Sequence, residues 1–445
     1  MKLAVVVQRY SADVSGGAEL HARYIAELLA KRHTVHVLTT CARDYITWRN
    51  EHPAGTETIE GIEVHRFPVR RQRDPIDFGK RSLHIFGHEH SFADELAWLE
   101  SEGPTSPALI RHIAENREHY DFFLFFSFRY YHTYHGVRAT PGRAVLVPTA
   151  ERDPVVGLSL FGPIFRSVRA LMYNSPEERA MIQATSQNTA VPGVVVGIGS
   201  RIPERTRPER FRRKFDVRDP FIVYVGRVDE NKGCAEMFSF FLRYAAVTRN
   251  PPTLVLMGNS VLPIPESPFV RHLGFVSDED KFDAIAGAQA LIMPSFFESL
   301  SMVALEAWAL EKPVLANGRC DVLKGQAIRS DGGLYYENAD EFFETMRLLT
   351  TNSNLNAALG RNGRRYFARH YTWPVIAQKY EDVLARLAEQ PSTGAMEPEP
   401  GWLAARRRTI PPASDVLERL PSGPVVEKTR PAVPRGRPRR AGARR

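Results

Sequence analysis

The stretch Ala290-Leu-Ile-Met-Pro-Ser-Phe-Phe-Glu-Ser-Leu-Ser-Met-Val-Ala-Leu-Glu306 decides the fold of the second half of this 445-residue chain. Its apolar start predicts a buried strand, and the residues from Ser299 onward predict a helix after a short loop. Backbone N–H groups at the start of such a helix have no intrahelical partner and favour an anion. Glu298 and Glu306 flank these groups, about 12 Å apart if the helix rise holds between them. Carboxylates at that spacing suit one hydroxyl-bearing ring on each side of a diphosphate.

Strand and helix patterns alternate on both sides of this stretch. The buried apolar runs Leu3–Val7 and Phe221–Val225 are followed by the helical patterns Ala18–Ala30 and Cys234–Val247. This alternation predicts parallel sheets covered by helices on both faces. We therefore expect an α/β protein with two Rossmann-like parallel-sheet domains facing each other across a cleft, where ligands bind beyond the carboxyl ends of the strands.

Composition sets the expected domain boundaries. Residues from 391 onward include ten prolines among 55 residues, a composition that cannot bury enough apolar surface to fold. The expected segments are a first domain over 1–199, a linker over 200–219, a second domain over 220–372, a terminal helix over 373–390, and a disordered basic tail over 391–445.

The charge of the chain is concentrated in that tail. Lys and Arg number 59 against 51 Asp and Glu, a net charge of +8, and residues 1–390 contribute only +1 of it. A nucleic-acid partner is disfavoured, because such proteins carry a basic face on the folded domain. With no signal-peptide pattern at Met1 and three scattered cysteines, we expect a cytoplasmic protein. The basic tail leaves open peripheral association with an anionic membrane surface.

A second motif lies at the end of a predicted strand. In Val225-Gly-Arg-Val-Asp-Glu-Asn-Lys-Gly233, Arg227 and Lys232 stand five residues apart in a glycine-flanked turn. Two fixed cations at this spacing can clamp a diphosphate, with Arg as a fork and Lys as a point charge. The turn is not a P-loop, since the G-x4-G-K-[ST] spacing is absent.

Together these motifs resemble the retaining family-4 glycosyltransferases of GT-B architecture. The resemblance covers roughly residues 1–390 and includes Ser15-Gly-Gly-Ala-Glu19 after the first strand. It implies that the first domain lies on the acceptor side, that the second binds the nucleotide sugar and that the terminal helix crosses back to the first domain. It implies that Lys232 and Arg227 neutralise a leaving nucleoside diphosphate and that Glu298 binds hydroxyls of the transferred sugar. The other donor-binding residues that it implies are Gly16, Gly17, Val276, Ser299, Leu300 and Glu306.

The resemblance also implies an activity. It is the transfer of a hexose-type sugar, with retention and without a metal or other cofactor, from a nucleotide diphosphate sugar to a glycan, lipid-linked or small-molecule acceptor. One position departs from the family pattern: Glu151 follows Pro148-Thr-Ala150 where related sequences often carry a histidine. Glu151 is a candidate replacement, as are His132 and His135 after the neighbouring strand. The alternative is a catalytically silent GT-B protein that binds a glycan or nucleotide within an assembly.

Four other patterns have simpler explanations. Asp278-Glu-Asp280 matches a D-x-D metal motif, but a capped acidic first turn of a helix explains it better. The set His84, His88 and His90 has metal-like spacing without supporting ligands. Val196-Gly-Ile-Gly199 lacks the rest of a dinucleotide fingerprint. Gly157–Met172 fits a helix of the cleft wall better than a membrane-surface patch.

Overall fold

The structure is a computed structural model, and it describes residues 1–12, 16–392, 395–401, 403 and 417–420. Contacts divide the chain into two units, Met1–Glu397 and Pro398–Arg445. Most of the second unit, and with it most of the tail predicted to be disordered, lies outside the described residues. Every strand among the described residues belongs to the first unit.

The described elements of this unit alternate between strands and helices. The strands are β1 (Lys2–Val6), β2 (Thr34–Thr40), β3 (Gly55–Ile59), β4 (Ile62–Phe67), β5 (Phe122–Phe126), β6 (Ala144–Val147), β7 (Ala170–Tyr173), β8 (Gly193–Val195), β9 (Phe221–Val225), β10 (Thr253–Met257), β11 (Val270–His272), β12 (Leu291–Met293), β13 (Val314–Asn317) and β14 (Gly333–Tyr336). The helices are α1 (Gly17–Leu29), α2 (Pro75–Gly87), α3 (Phe92–Glu102), α4 (Pro107–Glu115), α5 (Tyr131–Ala139), α6 (Phe161–Ser167), α7 (Pro176–Ser186), α8 (Pro208–Phe215), α9 (Cys234–Val247), α10 (Asp278–Gly287), α11 (Met302–Ala309), α12 (Asp321–Ser330), α13 (Ala339–Thr351), α14 (Ser353–His370) and α15 (Trp373–Glu389).

The strands form two sheets. The first has the order β3-β4-β2-β1-β5-β6-β7-β8 and the second the order β11-β10-β9-β12-β13-β14. Every pairing is parallel except β3 with β4, which is antiparallel. Central strands are apolar on both faces because helices cover both; all five residues of β5 are buried. The predicted α/β class with two parallel sheets is confirmed. We call residues 1–195 the first lobe and residues 208–370 the second lobe.

Some elements were not evident in the sequence. β3 is short, largely exposed and lies at the sheet edge, so it lacks the apolar pattern of a buried strand. α8 lies inside the segment predicted to be a linker. Its sequence is mostly charged, and a single fully buried residue, Phe211, gives too little apolar pattern to predict a helix. That helix packs on α10, and Arg210 reaches Asp283 at 2.7 Å.

The terminal helix predicted over 373–390 corresponds to α15, which spans Trp373–Glu389 and contacts α1 of the first lobe. The glycines of Val196-Gly-Ile-Gly199 allow this contact. A Cβ on Gly199 would lie 2.9 Å from the Trp373 ring, and one on Gly197 would lie 2.7 Å from Tyr371. These glycines therefore serve the packing of a helix start rather than a dinucleotide site.

The chain after α15 stays against the first lobe for a few residues. Arg166 on α6 pairs with Glu397 at 2.6 Å, and the side chain of Met396 packs on the apolar cluster under that helix. Gly157–Met172 itself contains α6, with Phe161, Ile164 and Phe165 buried in the core. Its apolar residues therefore build the lobe. No helix among the described residues is both long and apolar enough to cross a bilayer.

Candidate functional site

A cavity lies between the two lobes, beyond the carboxyl ends of their strands. Its volume of about 540 Å³ falls within the range of about 300–1,000 Å³ that is typical of small-molecule sites. The first lobe contributes the start of α1 and the turns after β5, β6 and β7, and the second contributes the turns after β9 and β12. This is the position expected for a ligand of two open parallel sheets.

Lys232 and Glu298 meet at the second-lobe wall of the cavity. Lys232 Nζ lies 2.8 Å from Glu298 Oε1, and both side chains are largely buried. Burial disfavours the charged lysine, but Glu298 and Glu151 outweigh it, so the pKa of Lys232 is raised. A fixed positive charge therefore faces the cavity at neutral pH.

Gly233 allows the two loops to approach. Its φ of 70° is in the left-handed region, and a Cβ there would lie 2.1 Å from the carbonyl oxygen of Pro294. The loop carrying Lys232 thus rests directly on the loop that carries Glu298, with Asp229 Oδ1 accepting from the Lys232 backbone N–H at 2.8 Å. The motifs are 66 residues apart in sequence and adjacent in space.

Glu151 faces this pair from the first lobe and also lines the cavity. Burial raises its pKa to about 7, with Lys232 acting against the shift and Glu298 reinforcing it. The carboxyl is therefore close to half-protonated at neutral pH and can donate as well as accept a hydrogen bond. Thr149, two residues before it, has a φ of +50°, a conformation that non-glycine residues rarely adopt.

Glu306 is held at the other side of the cavity. Its Oε1 accepts from the Ser200 hydroxyl at 2.7 Å and from Lys281 Nζ at 3.1 Å, and Oε2 is buried without a hydrogen-bond partner. Burial disfavours charge on Lys281, but Glu306 and Asp278 raise its pKa. The unpaired oxygen is an acceptor for a ligand hydroxyl.

The helix after Glu298 begins later than expected. α11 starts at Met302, and the Ser301 hydroxyl caps it by accepting from the Ala304 backbone N–H at 3.2 Å. Ser299 and Leu300 precede the helix, so their amides are loop donors and not part of its first turn. The predicted start at Ser299 is therefore wrong, and the helix rise does not run continuously from Glu298 to Glu306, which was the condition for the spacing of about 12 Å. The sequence has serines at both 299 and 301, and either serine is suitable as the N-cap of this helix.

The remaining predicted donor-binding residues divide into two groups. Gly16, Gly17, Ser299 and Leu300 line the cavity, and Ser299 Oγ lies 3.3 Å from Asn174 Nδ2 of the first lobe. Val276 does not line it, because its side chain packs against the apolar core.

Three polar candidates also lie outside the cavity lining. The guanidinium of Arg227 contacts Asp229 and the Tyr45 hydroxyl of the first lobe. His132 is fully buried in α5, where burial lowers its pKa to about 3. His135 packs against Tyr131, with ring centroids 4.3 Å apart. Both histidines belong to α5, which begins after the turn that lines the cavity, and neither of them lines it.

Several cavity residues were missed by sequence reasoning. Ser127, with a φ of +65°, and Thr149 lie after neighbouring strands and join their hydroxyls at 2.7 Å. Asn174 follows the next strand, and Lys281 comes from α10. For Ser127, Thr149 and Asn174, the available signal was a polar residue shortly after an apolar strand. Nothing local marks Lys281, because its partner Glu306 belongs to another helix.

The structure also tests the two candidate metal motifs of the sequence, the D-x-D motif and the three histidines. Asp280 lies in the first turn of α10, where Ser277 caps the helix and Lys214 approaches the Asp280 carboxylate to 2.6 Å. His84 and His88 stack with ring centroids 5.8 Å apart, whereas His90 bonds to Glu95 at 3.2 Å. The capped-turn interpretation is confirmed, and the three histidines do not converge.

Similarity to known proteins extends over both lobes. Residues 206–366, within the second lobe and the segment just before it, match the family described as glycosyl transferases group 1. A sucrose-phosphate synthase from Thermosynechococcus elongatus superposes with a TM-score of 0.62 at 16% identity, covering 87% of this chain and 98% of that one. The fold is GT-B. Anabaena HepE in complex with UDP gives a TM-score of 0.61 at 15% identity, covering 87% of this chain and all of that one.

A curated relative matches over a shorter stretch. The glycosyltransferase 1 domain-containing protein 1 of Xenopus tropicalis is 31% identical over 100 residues, which are 22% of this chain and 28% of that protein. The match thus spans little more than a quarter of the relative's length. The sequence match to the glycosyl transferase family therefore covers the second lobe, whereas the structural similarity to proteins of the GT-B fold covers both lobes.

Proposed function

We propose that this GT-B protein is a glycosyltransferase that takes a sugar from a nucleotide diphosphate sugar. The observation that carries the proposal is the Lys232–Glu298 contact of 2.8 Å at a cavity between two parallel sheets. A cation there faces the diphosphate, and the adjacent carboxylate faces the hydroxyls of the transferred sugar. The match of residues 206–366 to the group 1 family supports the same assignment.

The proposed donor position follows from charge. The diphosphate lies by Lys232 and the loop amides of Ser299 and Leu300, and the free Glu306 oxygen accepts from the nucleoside ribose. Negative charge grows on the phosphate as its bond to the sugar breaks, and a preorganised cation stabilises that charge. When the diphosphate binds, Lys232 shares its charge between phosphate and Glu298.

The finer parts of the proposal concern outcome and partners. We propose transfer of a hexose with retention, without a metal, to a glycan, lipid-linked or small-molecule acceptor. Solved structures of the same fold hold UDP-glucose, in HepE, and UDP-2-fluoro glucose, in an E. coli protein, so UDP-glucose is the first donor to test. The basic composition of the tail supports transient contact with an anionic membrane in the cytoplasm.

The test is donor turnover by the full chain. Wild type should release nucleotide from at least one of a panel of nucleotide sugars, with undiminished rate in a metal chelator, and NMR should show the product anomer matching the donor. Lys232→Ala should lower kcat about 10²- to 10³-fold, the loss typical of one removed electrostatic donor. Lys324→Ala is the matched control, because that lysine pairs with Glu337 outside the cavity lining.

The rival function, a silent binding protein, makes the opposite prediction. Glu151 at the position where related sequences often carry a histidine is the observation that favours it. Binding of nucleotide sugars by calorimetry with no turnover in any acceptor screen, and no kinetic difference between wild type and Lys232→Ala, would establish the rival and remove the enzyme proposal.

A further inference from the structure

A second cluster of ligand-type side chains lies away from the cavity, near the amino ends of β2 and β4. His36 on β2 is paired in register with Glu63 on β4, and His65 lies two residues beyond Glu63 on the same face. Each of the three can place one ligand atom within 4.8 Å of the other two. Among the described residues, this is the group of His, Cys, Asp and Glu side chains that meets such a distance.

The two imidazole nitrogens of the cluster converge on Glu63 Oε1. His65 Nε2 lies 2.7 Å from Glu63 Oε1 but is buried with no hydrogen bond, and His36 Nδ1 lies 3.5 Å from the same oxygen. A buried imidazole nitrogen without a hydrogen bond, such as His65 Nε2, is costly, and a cation among these atoms would satisfy it. Ligand atoms of a tetrahedral zinc site are about 3.3 Å apart, given metal–ligand distances of about 2.0–2.1 Å.

The surroundings hold the rings in place. Thr56 Oγ1 on β3 bonds to His65 Nδ1 at 3.2 Å, which orients Nε2 towards Glu63. The His112 ring, on α4, lies 5.4 Å from the His65 ring, and its buried Nε2 has no hydrogen-bond partner. Hydrogen bonds to the second ring nitrogen are the usual means of orienting a histidine ligand.

From this geometry we propose that His36, Glu63 and His65 bind a divalent ion of the zinc class. Two imidazoles and one carboxylate suit zinc and its neighbours better than magnesium or calcium, which prefer oxygen ligands. His36 Nδ1 exchanges its 3.0 Å contact with the Tyr120 hydroxyl for the ion. Since the ligands join β2 to β4, the ion stabilises the first sheet near its outer edge.

The site is separate from the proposed transfer reaction. None of the three residues lines the cavity between the lobes, which lies beyond the opposite ends of the strands. Zinc binding is thus compatible with turnover in the absence of a metal, and each of the two proposals can fail without the other. Metal-like spacing in the sequence marks His84, His88 and His90 but not this group, because strand pairing, not sequence spacing, assembles it.

The experiment uses full-length, untagged protein stripped with a chelator and titrated with zinc chloride. Wild type should bind one Zn²⁺ per chain by calorimetry and melt at a higher temperature with zinc, and Co²⁺ should give a visible d–d spectrum. Glu63→Gln and His65→Asn should each weaken binding at least tenfold and abolish the thermal shift. The Glu63 side chain is 46% exposed, so Glu63→Gln should fold normally.

Two further variants separate this site from others. The double variant with His84→Asn and His88→Asn removes two neighbouring histidines outside the cluster and should bind zinc as wild type does. Tyr120→Phe removes the competing hydroxyl and should bind at least as tightly. The proposal is overturned if wild type binds no stoichiometric zinc at micromolar concentration, or if the control double variant loses as much affinity as Glu63→Gln.

Discussion

Glu151 shows how much one residue's surroundings decide its chemistry. The side chain has the composition of an ordinary acid, yet burial beside Glu298 raises its pKa to about 7, against the opposing effect of Lys232. Below that pH the Glu151 carboxyl is neutral and compatible with the proposed diphosphate; above it, the carboxylates of Glu151 and Glu298 would both face that anion. The sequence revealed the substitution at this position but not the burial that gives it a new role.

Donor affinity should therefore fall as pH rises through about 7. Above that value the donor must bind together with a proton, so affinity falls by at most about tenfold per pH unit. Calorimetric titration of a nucleotide sugar from about pH 6 to 8 measures this; a free nucleotide is unsuitable, since its terminal phosphate titrates near pH 6. Glu151→Gln should flatten the profile, and an equally steep profile in that variant would refute the assignment.

Glu298 and Glu306 should separate turnover from binding. Hydrogen bonds to charged groups contribute about 1.5–3 kcal/mol, or roughly 10- to 100-fold. Glu298→Ala should lower kcat by about that factor, because its proposed role is to contact the transferred sugar, whereas Glu306→Ala should raise the Kd for nucleotide with little change in kcat. Steady-state kinetics and calorimetry on both variants provide the comparison, with thermal melts as the folding control. Equal losses of nucleotide affinity would count against these roles.

The sequence predicted that Lys232 and Glu298 act at one site, but it predicted neither of the two ion pairs there. Lys232 and Glu298 lie in the loops after β9 and β12, and because these neighbouring parallel strands end at one edge of the sheet, their proximity was foreseeable. The pair formed by Lys281 and Glu306 joins two helices, and which helix faces meet depends on packing that no local pattern encodes. Arg227 followed the same strand as Lys232, yet Asp229 and Tyr45 hold it outside the cavity lining.

Among the elements, the start of α11 illustrates the limit of local patterns. Serines stand at both 299 and 301, and either is an acceptable helix cap. Tertiary packing chooses Ser301, which is 3% exposed, and leaves Ser299 in the loop beside Asn174. The long apolar strands were predictable because their burial appears in every residue. Short or charged elements such as β3 and α8 were not.

Removal of this cap should be measurable. Ser301→Ala should lower the free energy of unfolding by about 0.5–2 kcal/mol, the usual contribution of a capping hydroxyl. Ser301→Thr retains an acceptor and should preserve most of that stability. Urea denaturation followed by circular dichroism gives both values. A destabilisation by Ser301→Thr equal to that by Ser301→Ala would show that space, rather than the cap, limits the position.

At the scale of the whole molecule, the two lobes share one hydrophobic core. A single cluster of buried apolar residues includes Leu124 of the first sheet, Val223 of the second and Leu384 of α15. The order of strands and helices predicted two sheets but not this continuity, and the return of α15 to the first lobe was implied by the family resemblance rather than by that order. Trp373 packs edge-on against Tyr24, and the Tyr380 hydroxyl lies 3.4 Å from His21 Nε2.

The return of α15 has a consequence for the covalent chain. The segment between the lobes is exposed at Glu204 and Arg205, so a specific protease site inserted there should be cut in the native protein. The resulting fragments should nevertheless elute together in gel filtration and separate only on a denaturing gel. The reason is that α15, in the carboxyl-terminal fragment, packs against α1 in the amino-terminal fragment. Peptide-bond continuity would then be dispensable, and the protein could be reconstituted from two separately expressed halves.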